Sequence, residues 1–255
     1  MFKKEYPILE FDENKEAVIQ PDKIFKPIDI PEHCVLPIFQ EVIDKLVENK
    51  RTKFIHNIES EMTLLPVYEI QAYDKPLAVI NPGVGAAFVG AVLEELIALG
   101  CKKFIACGGA GVLRKDIIRG MVVVVNSAIR DEGTSYHYLP PSREVNANPE
   151  VIEVVETVLQ KHKVKYLVGK TWTTDGVYRE TQDKIALRKS EGCLTVEMEA
   201  AAFLAVSQFR NVEFGQILGA GDDVSGEEWD RRYCDQKASH CEKLFWLAVE
   251  SCLLL

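Results

Sequence analysis

Two carboxylates flank a methionine in Val196-Glu197-Met198-Glu199, between a short apolar stretch and a run of alanines. This pattern predicts a strand that ends near Val196 and a helix that begins near Glu199. A carboxylate there could accept charge-assisted hydrogen bonds from two vicinal hydroxyl groups, as a sugar presents them, and Met198 would add an adaptable apolar surface. The alternative is that the carboxylates only favour the start of the helix through its dipole, at ~0.3–1 kcal/mol.

A second pair of carboxylates, Asp222 and Asp223, follows an apolar strand predicted at Glu213–Leu218 and lies in a glycine-rich segment. A carboxylic acid at a strand end could act as a general acid and protonate a leaving group, which lowers the barrier to bond cleavage. The alternative is that the two aspartates cap the helix that we expect next. The residues alone leave both interpretations open.

Two glycine-bearing segments, Gly83–Gly85 and Gly108–Gly111, also follow predicted strands, and we expect both to be turns. In open α/β sheets, ligands bind beyond the carboxyl ends of the strands. Small residues there let backbone N–H groups approach an anion or a base closely. Gly83, Gly109 and Ala110 are therefore candidate binding residues, unless the glycines only permit tight turns. Neither segment matches a phosphate loop or a dinucleotide-binding GxGxxG motif.

Strands and helices alternate along most of the chain. We expect strands near Cys34–Ile38, Lys53–Ile58, Leu64–Tyr73, Leu77–Ile80, Phe104–Cys107, Met121–Ser127, Val164–Thr173, Thr195–Val196 and Glu213–Leu218. We expect helices near Gln40–Asn49, Ala86–Leu99, Pro149–His162, Gln182–Ser190, Glu199–Phe209 and Glu227–Leu255. This order predicts an α/β fold around a central, mostly parallel or mixed sheet. Residues 1–32 are predicted to form an N-terminal arm, and residues 33–255 a single domain.

The composition of the 255 residues, 47% hydrophobic and 27% charged, is typical of a soluble globular enzyme. The net charge of −9 at pH 7 argues against nucleic acid or an anionic membrane as a partner, because both favour basic surfaces. No apolar run of ~18 residues predicts a membrane span. Seven scattered cysteines without a CxxC pair, and a start without an apolar signal segment, favour a cytoplasmic protein without a metal site.

In their order and spacing, five segments resemble the landmarks of the nucleoside phosphorylase/nucleosidase superfamily: Gly83, Gly108–Gly111, Thr173–Asp175, Val196–Glu199 and Asp222–Asp223. The resemblance runs from about Cys34 to about Leu253. It implies a three-layer α/β/α fold with a twisted, mixed, barrel-like central sheet, assembled as a homo-oligomer (a dimer or a hexamer). It also implies a pentosyltransferase that cleaves the N-glycosidic bond of a nucleoside with phosphate as acceptor. Such an enzyme acts in nucleoside metabolism such as purine salvage, needs no cofactor, and takes a nucleoside and phosphate as its small-molecule partners.

The resemblance also assigns roles to the carboxylate segments. By match to the family motif, Glu199 would bind the ribose 2′- and 3′-hydroxyls, Met198 would pack on the sugar, and Glu197 would lie near the same pocket. Asp223, or Asp222 if the register slips by one residue, would be the acid that purine-acting members place beside the base.

The residues after Asp175 bear on which nucleobase the protein would recognise. The uridine-acting branch of the family lacks the acid and instead recognises uracil with a Gln and an Arg in this stretch. Here Arg179 and Gln182 occur, but not in the family's order. A purine is therefore favoured over uridine. Tyr178 is a further candidate substrate contact, and His137 lies in a loop that in the family is near the ribose. The alternative for His137 is an ordinary packed loop residue.

Two phosphate-binding arginines of the family are missing from their expected positions. The early Gly-Asp-Pro-x-Arg turn is replaced by the residues of Leu36–Glu41, and the Arg before the second glycine turn is replaced by Ala106. The Ser or Thr within that turn is replaced by Gly109 or Ala110. Each missing arginine would have given charge-assisted hydrogen bonds to phosphate. The alternative phosphate ligands are Arg51, Arg114, Arg119 and Arg130.

A hydrolytic nucleosidase of the methylthioadenosine nucleosidase type is therefore an alternative. Glu41 falls close to the glutamate with which nucleosidases activate water, although its polar neighbours Asp44 and Lys45 also suit an ordinary surface helix. A third hypothesis is a nucleoside-binding protein without turnover, which the retention of Glu199 and Asp223 makes less favourable.

Overall fold

The structure is a computed structural model that describes residues 3–233 and 237–255. Within these ranges the strands are β1 (His33–Pro37), β2 (Thr52–Glu59), β3 (Leu64–Ala72), β4 (Lys75–Val79), β5 (Lys103–Val112), β6 (Val122–Asp131), β7 (Glu144–Asn146), β8 (Tyr166–Thr174), β9 (Cys193–Glu197) and β10 (Glu213–Asp223). The helices are α1 (Pro21–Ile24), α2 (Glu41–Glu48), α3 (Ala86–Leu99), α4 (Pro149–Lys161), α5 (Gln182–Ser190), α6 (Ala200–Arg210) and α7 (Lys237–Cys252).

Five strands close into a small mixed barrel. Strand β5 pairs with β10 in parallel and with β9 antiparallel; β10 pairs with β6 antiparallel, and β6 and β9 both pair with β8 in parallel. From β5 the sheet continues outward in the order β1, β4, β3 and β2. Strand β1 is parallel to both of its neighbours, whereas the pairs β4–β3 and β3–β2 are antiparallel. The predicted α/β fold with a mixed, barrel-like central sheet is confirmed.

Buried apolar side chains cover both faces of this sheet. Successive strand residues point to opposite faces, so Phe104 of β5 packs in a cluster with α3 and α6, whereas Ile105 packs in a second cluster with α2, α4 and α7. Each large side chain that is fully buried stabilises the fold by roughly 1.5–3 kcal/mol. The helices therefore form two layers around the sheet, as the resemblance implied.

One of the predicted turns is wrong, and one predicted strand is longer than expected. Residues Gly108–Gly111 lie within β5, residues Gly219–Asp223 extend β10 beyond the predicted end at Leu218, and Gly109 pairs there with Gly219. A Cβ atom on Gly221 would lie 3.1 Å from the carbonyl oxygen of Ala110, so the missing side chain permits this close approach of the two strands. Glycine-rich composition predicted turns, but pairing between neighbouring strands overrides that local preference.

The last predicted helix is wrong in its first part. Helix α7 begins at Lys237 rather than at Glu227, and residues 234–236 of the predicted helix lie outside the described residues. The backbone groups of Asp223 and Asp230 exchange two hydrogen bonds of 2.8 and 3.0 Å, which fold the segment before α7 back along the end of β10. The helices α2 to α6 end within one residue of their predicted bounds.

Residues 3–32 run along the body of the protein. The backbone N–H of Ile28 donates to the carbonyl of Leu99 at 3.0 Å, and the carbonyl of Glu32 accepts from Lys102 at 2.8 Å. The division into an arm and a domain stays a prediction. No helix within the described ranges combines the length and the apolar character that crossing a membrane requires.

A buried carboxylate ties the C-terminal helix α7 to α4 and to the turn between β3 and β4. Glu250 accepts hydrogen bonds from Lys161 Nζ at 2.6 Å and from the Tyr73 hydroxyl at 3.0 Å, and it pairs with His162 Nε2 at 2.6 Å. Burial alone would raise the pKa of Glu250, but these three partners outweigh burial and lower the pKa to about 2. The ionised carboxylate therefore stabilises the folded state.

We predict that Glu250→Gln lowers the free energy of unfolding by ~1–3 kcal/mol, because the neutral amide replaces an acceptor of three hydrogen bonds. The folded pKa lies below the ordinary value of 4.5, so this stabilisation is present above about pH 4.5 and is lost as the pH falls towards 2. Urea unfolding at about pH 5 and about pH 3 measures both effects.

The matched control is Glu242→Gln, which removes an exposed ion pair with Lys45 and should change stability by less than ~0.5 kcal/mol. Equal stability of Glu250→Gln and the unmodified protein at about pH 5 would contradict the prediction.

Candidate active site

A cleft of about 960 Å³ opens where β5, β9 and β10 end. Its walls come from the last residues of these strands, from the short 3₁₀ helix Val177–Arg179, from residues 229–233 and from one side of α7. Because β5 and β10 are parallel, their carboxyl ends meet at one edge of the sheet, and such an edge is where open α/β sheets bind ligands.

Glu197 joins the end of β9 to the start of α6. One carboxylate oxygen, Oε2, accepts from the backbone N–H of Glu199 at 2.8 Å and of Ala200 at 2.6 Å; Oε1 accepts from Thr173 Oγ1 at 2.7 Å. The carboxylate thus satisfies N–H groups that have no partner within the first turn of a helix. Burial raises the pKa of Glu197, and the negative charge of Glu199 raises it further. All these partners are donors, so Glu197 is held as an acceptor.

Glu199 lies beside this junction, and its carboxylate does not line the cleft. Oε1 accepts from the backbone N–H of Gly85 at 2.8 Å, and Oε2 accepts from that of Met198 at 3.2 Å. Burial raises the pKa of Glu199, and these two hydrogen bonds oppose the rise. Gly85 has φ +95°, a conformation that favours glycine. Met198 and Glu197 both line the cleft.

The two aspartates at the end of β10 point in different directions. Asp222 lines the cleft, and its Oδ2 accepts from the indole Nε1 of Trp229 at 2.7 Å. Asp223 faces away from the cleft and accepts from Ser225 N at 2.8 Å and Arg232 Nη2 at 2.6 Å. Burial alone would raise the pKa of Asp223, but these hydrogen bonds outweigh burial and lower it. Of the two residues, the structure brings Asp222 into the cleft.

Glu180 is a cleft residue to which the sequence analysis gave no role. It directly follows the 3₁₀ helix Val177–Arg179, where burial raises the pKa of its carboxyl to about 7 and the charge of Asp222 adds to the rise. Trp229 was missed because the segment from Glu227 was predicted to be helical. In the sequence alone Glu180 looks like an ordinary charged surface residue, so no local signal marked it.

The candidate substrate-binding residues divide into two groups. Gly109, Ala110 and Tyr178 line the cleft, and a Cβ atom on Gly109 would meet no atom within 4 Å. Gly83 and His137 do not line the cleft. Gly83 donates its N–H to Asn81 Oδ1 within the loop after β4, and His137 is exposed at the end of the 3₁₀ helix Thr134–His137. Glu41, the proposed water-activating base, also lies outside the cleft, as the first residue of α2.

Of the four arginines considered as phosphate ligands, Arg119 lines the cleft and the other three do not. Arg130 is buried and donates to hydroxyl and carbonyl groups of residues 135–142. Arg114 forms an exposed ion pair with Asp116, and Arg51 lies over the ring of Trp246.

Two further cations, Arg231 and Lys243, line the cleft together with Arg119. The guanidinium of Arg119 donates to the carbonyl of Arg231 at 3.0 Å, which ties the two segments together. Within the described ranges, no group of three or more His, Cys, Asp or Glu side chains could hold a metal ion.

The barrel strands and the cleft residues all lie within the part of the chain that matches one protein family. A family model described as the phosphorylase superfamily matches residues 33–250, and the chain belongs to that superfamily. The resemblance inferred from the sequence motifs is thereby confirmed.

Two curated relatives are each 29% identical to this chain. One is a guanosine phosphorylase of Halorubrum lacusprofundi, aligned over 155 residues, 60% of this chain and 64% of the relative. The other is a uridine phosphorylase of Treponema pallidum, aligned over 156 residues, 57% of this chain and 60% of the relative. The chain thus spans less than two thirds of the length of either relative.

Two solved structures share the fold. A purine nucleoside phosphorylase from Toxoplasma gondii in complex with immucillin-H has a TM-score of 0.76 at 19% identity, covering 88% of this chain and 91% of that one. An AMP nucleosidase from Bacteroides thetaiotaomicron has a TM-score of 0.71 at 22% identity, covering 89% of each chain. A phosphorylase and a nucleosidase therefore both have this fold.

We predict that Thr173→Val lowers the free energy of unfolding by ~1–3 kcal/mol. The Thr173 hydroxyl donates to Glu197 and accepts from the backbone N–H of Ala201 at 3.0 Å, so its removal leaves both buried groups without this partner. Urea unfolding measures the change.

Thr157→Val is the matched control. Its hydroxyl bonds only to the carbonyl of Glu153 on the exposed side of α4, so we expect a change below ~0.5 kcal/mol. If both variants are equally stable, the Thr173 hydroxyl does not support the junction of β9 and α6.

Proposed function

We propose that this protein is a nucleoside phosphorylase-type pentosyltransferase, which cleaves the N-glycosidic bond of a nucleoside and transfers the ribosyl group to phosphate. One observation carries the proposal: a single cleft is lined both by the Glu197–Met198 corner and by Asp222. One carboxylate suited to a sugar, Glu197, and one carboxyl group suited to a base, Asp222, thus face one space. Membership of the phosphorylase superfamily supports the same reaction class.

The ribose would lie against the corner formed by Glu197, Met198 and Glu199. An ionised carboxylate has about four acceptor positions, and the Glu199 oxygens receive two backbone hydrogen bonds, from Gly85 and Met198. The remaining lone pairs can accept from the 2′- and 3′-hydroxyls when the sugar packs on Met198. Glu199 is buried, and in a medium of low dielectric such hydrogen bonds are stronger than in water.

The same corner suits the chemistry of bond cleavage. As the bond between C1′ and the base nitrogen breaks, its electron pair moves into the base and the ribose gains oxocarbenium-like positive charge. Negative charge at Glu199, to which two backbone N–H groups donate, would stabilise that cation, and an acid at the base end would neutralise the departing base. A phosphate oxygen then bonds to C1′, which gives ribose 1-phosphate and the free base.

Positive charge in the cleft supports phosphate as the acceptor. Arg119, Arg231 and Lys243 line the cleft although the family's two arginine positions are changed. Cations in a confined cleft raise the local concentration of an anionic co-substrate. The two relatives that are named guanosine and uridine phosphorylases agree with this choice.

Hydrolysis is the second candidate reaction. Likeness to an AMP nucleosidase and the changed arginine positions favour it. Water would then replace phosphate at C1′, although Glu41 lies outside the cleft. Binding without turnover is the third candidate. A purine base is favoured because Asp222 lines the cleft, and a role in cytoplasmic purine salvage as a homo-oligomer belongs to the same proposal.

We expect the protein to release free base from a purine nucleoside only when phosphate is present, with ribose 1-phosphate as the second product. The measurement is base release from guanosine, inosine, adenosine, uridine and methylthioadenosine, each with and without phosphate. Equal release without phosphate, with free ribose as product, would contradict phosphorolysis and support hydrolysis. Binding of a nucleoside without any release would support the third candidate.

We predict that Glu199→Gln lowers kcat/KM for a ribonucleoside by ~10–100-fold, because two charge-assisted hydrogen bonds to the sugar are weakened. The loss should be smaller for the matching 2′-deoxynucleoside, which offers one hydroxyl fewer to residue 199. Steady-state kinetics with both substrates measure this difference.

The amide of Glu199→Gln keeps an oxygen for the Gly85 N–H, and exposed Glu213→Gln serves as the matched control. The same loss for both substrates would exclude Glu199 from contact with the 2′-hydroxyl.

A further inference from the structure

The loop between β4 and α3 holds the Glu199 carboxylate from one side. The backbone N–H of Gly85 in this loop donates to Glu199 Oε1 at 2.8 Å, although 114 positions separate the two residues in the sequence. The second hydrogen bond, from the N–H of Met198 to Oε2, is longer at 3.2 Å. The direction in which the carboxylate points therefore depends on where the loop places the N–H of Gly85.

This loop has a backbone conformation that needs support. Gly83 has φ +82° and Gly85 has φ +95°, values that favour glycine. A Cβ atom on Gly83 would lie 2.4 Å from the ring of Phe88, so the loop packs closely against the first turn of α3. Glycine loses more conformational freedom on folding than any other residue. A loop with two glycines therefore requires further contacts to keep one conformation.

The side chain of Asn81 provides such contacts. Its Oδ1 accepts from the N–H of Gly83 at 3.0 Å, and its Nδ2 donates to Gln40 Oε1 at 3.1 Å. Gln40 is the N-cap residue of α2, and its own Nε2 donates to Asp44 Oδ1 at 2.9 Å. An amide side chain can make both contacts because it carries an acceptor oxygen and a donor NH₂ group. Asn81 thus closes the turn at Gly83 and joins the loop to α2.

We propose that Asn81 is a positioning residue for the cleavage reaction: it fixes the loop that ends at Gly85, and the loop holds Glu199 where the ribose hydroxyls would meet it. The inference rests on the proposed function, because the contact of Glu199 with the sugar belongs to that proposal. Asn81 does not line the cleft, so it acts only through Gly85 and Glu199.

Glu199 has an alternative hydrogen-bonding arrangement, which makes the support of the loop necessary. It is the N-cap residue of α6, and its side chain makes no hydrogen bond to its own helix. Acidic N-cap side chains commonly accept from an N–H group two or three residues further on. The N–H of Gly85 draws the carboxylate away from that arrangement. A displacement of about 1 Å at a contact of this kind can lower a rate by ~100-fold.

The test is kcat/KM for inosine and for 2′-deoxyinosine, each with phosphate. We expect Asn81→Ala to lower the value for inosine by ~10-fold, because Glu199 is then less well placed. The loss should be smaller for 2′-deoxyinosine, which offers one hydroxyl fewer to Glu199. A change that only weakened the fold would instead lower both values equally.

Two further variants and a control separate the hydrogen bond to Gly83 from other effects. Asn81→Asp keeps an oxygen for the N–H of Gly83, so it should recover most of the activity. Asn81→Ser should lie between Asn81→Asp and Asn81→Ala, because a hydroxyl supports such a turn more weakly, and it provides the test if Asn81→Ala does not fold. In the control Asn49→Ala, which removes a hydrogen bond to the Lys45 carbonyl at the exposed end of α2, kcat/KM should not change.

A double variant tests whether Asn81 acts through Glu199. If it does, adding Asn81→Ala to Glu199→Gln should lower kcat/KM by less than ~2-fold, because the carboxylate that the loop positions is already gone. Losses that multiply in the double variant would overturn the inference.

Exchange of the Gly85 amide hydrogen, followed by NMR, reports on the loop without any turnover. In Asn81→Ala we expect this hydrogen to exchange ~10-fold faster or more, while that of Ile105 in the central strand β5 keeps its rate. An unchanged rate at Gly85 would show that Asn81 does not hold the loop and would overturn the inference.

Failure of the inference and failure of the proposed function give different results. If the unmodified protein releases base with phosphate but Asn81→Ala keeps its kcat/KM for inosine, only the role of Asn81 is overturned. If the unmodified protein releases no base, the proposed function is overturned, and with it the role of Asn81 in the reaction.

Discussion

The hydrogen bonds of one buried carboxylate, Glu197, support the arrangement of the whole site. They join the end of β9, the first turn of α6, which begins three residues later, and, through Thr173, the neighbouring strand β8. A helix start needs acceptors for its N–H groups, and the carboxylate supplies one inside the protein, where water cannot. Met198 and Glu199 follow directly in the chain, so their positions are set by the same junction.

Burial of ionised acidic groups is unfavourable in free energy. Different hydrogen-bond donors offset this penalty at the two ends of the cleft. At the sugar end, backbone N–H groups of residues 85 and 198–200 donate to Glu197 and Glu199, and these hydrogen bonds oppose the rise in pKa that burial causes. At the end of β10, the indole N–H of Trp229 donates to Asp222, whereas burial raises the pKa of the neighbouring cleft residue Glu180 to about 7 and the charge of Asp222 adds to the rise. Backbone donors thus hold the carboxyl groups at the junction of β9 and α6, and an indole N–H holds the one at the end of β10.

The features of the fold that depend on local sequence pattern could be predicted from the sequence. Hydrophobic periodicity and terminal signals placed α2 to α6 within one residue, and the order of strands and helices gave the fold class. It could not distinguish glycines in a turn from glycines in paired strands, because Gly109 and Gly219 differ from turn glycines only through their partner strand. For the same reason the sequence did not mark Glu180 and Trp229 as cleft residues, because their places in the cleft arise from contacts between residues distant in sequence.

The register of the strand end illustrates this limit most directly. Asp222 and Asp223 are chemically identical, and the family motif allowed either to be the acid near the base. The register of β10 on β5 shifts between Ala220 and Asp223, and Asp223 then pairs with Val112. Of the two aspartates, Asp222 lines the cleft and Asp223 does not. Asp223 lies on the other side, where hydrogen bonds from Arg232 and Ser225 offset the unfavourable burial of its carboxylate. The same hydrogen bonds attach the segment before α7 to the end of β10. That segment places Trp229 and Arg231 in the cleft wall. Asp223 faces away from the cleft, but it therefore also helps to form the cleft.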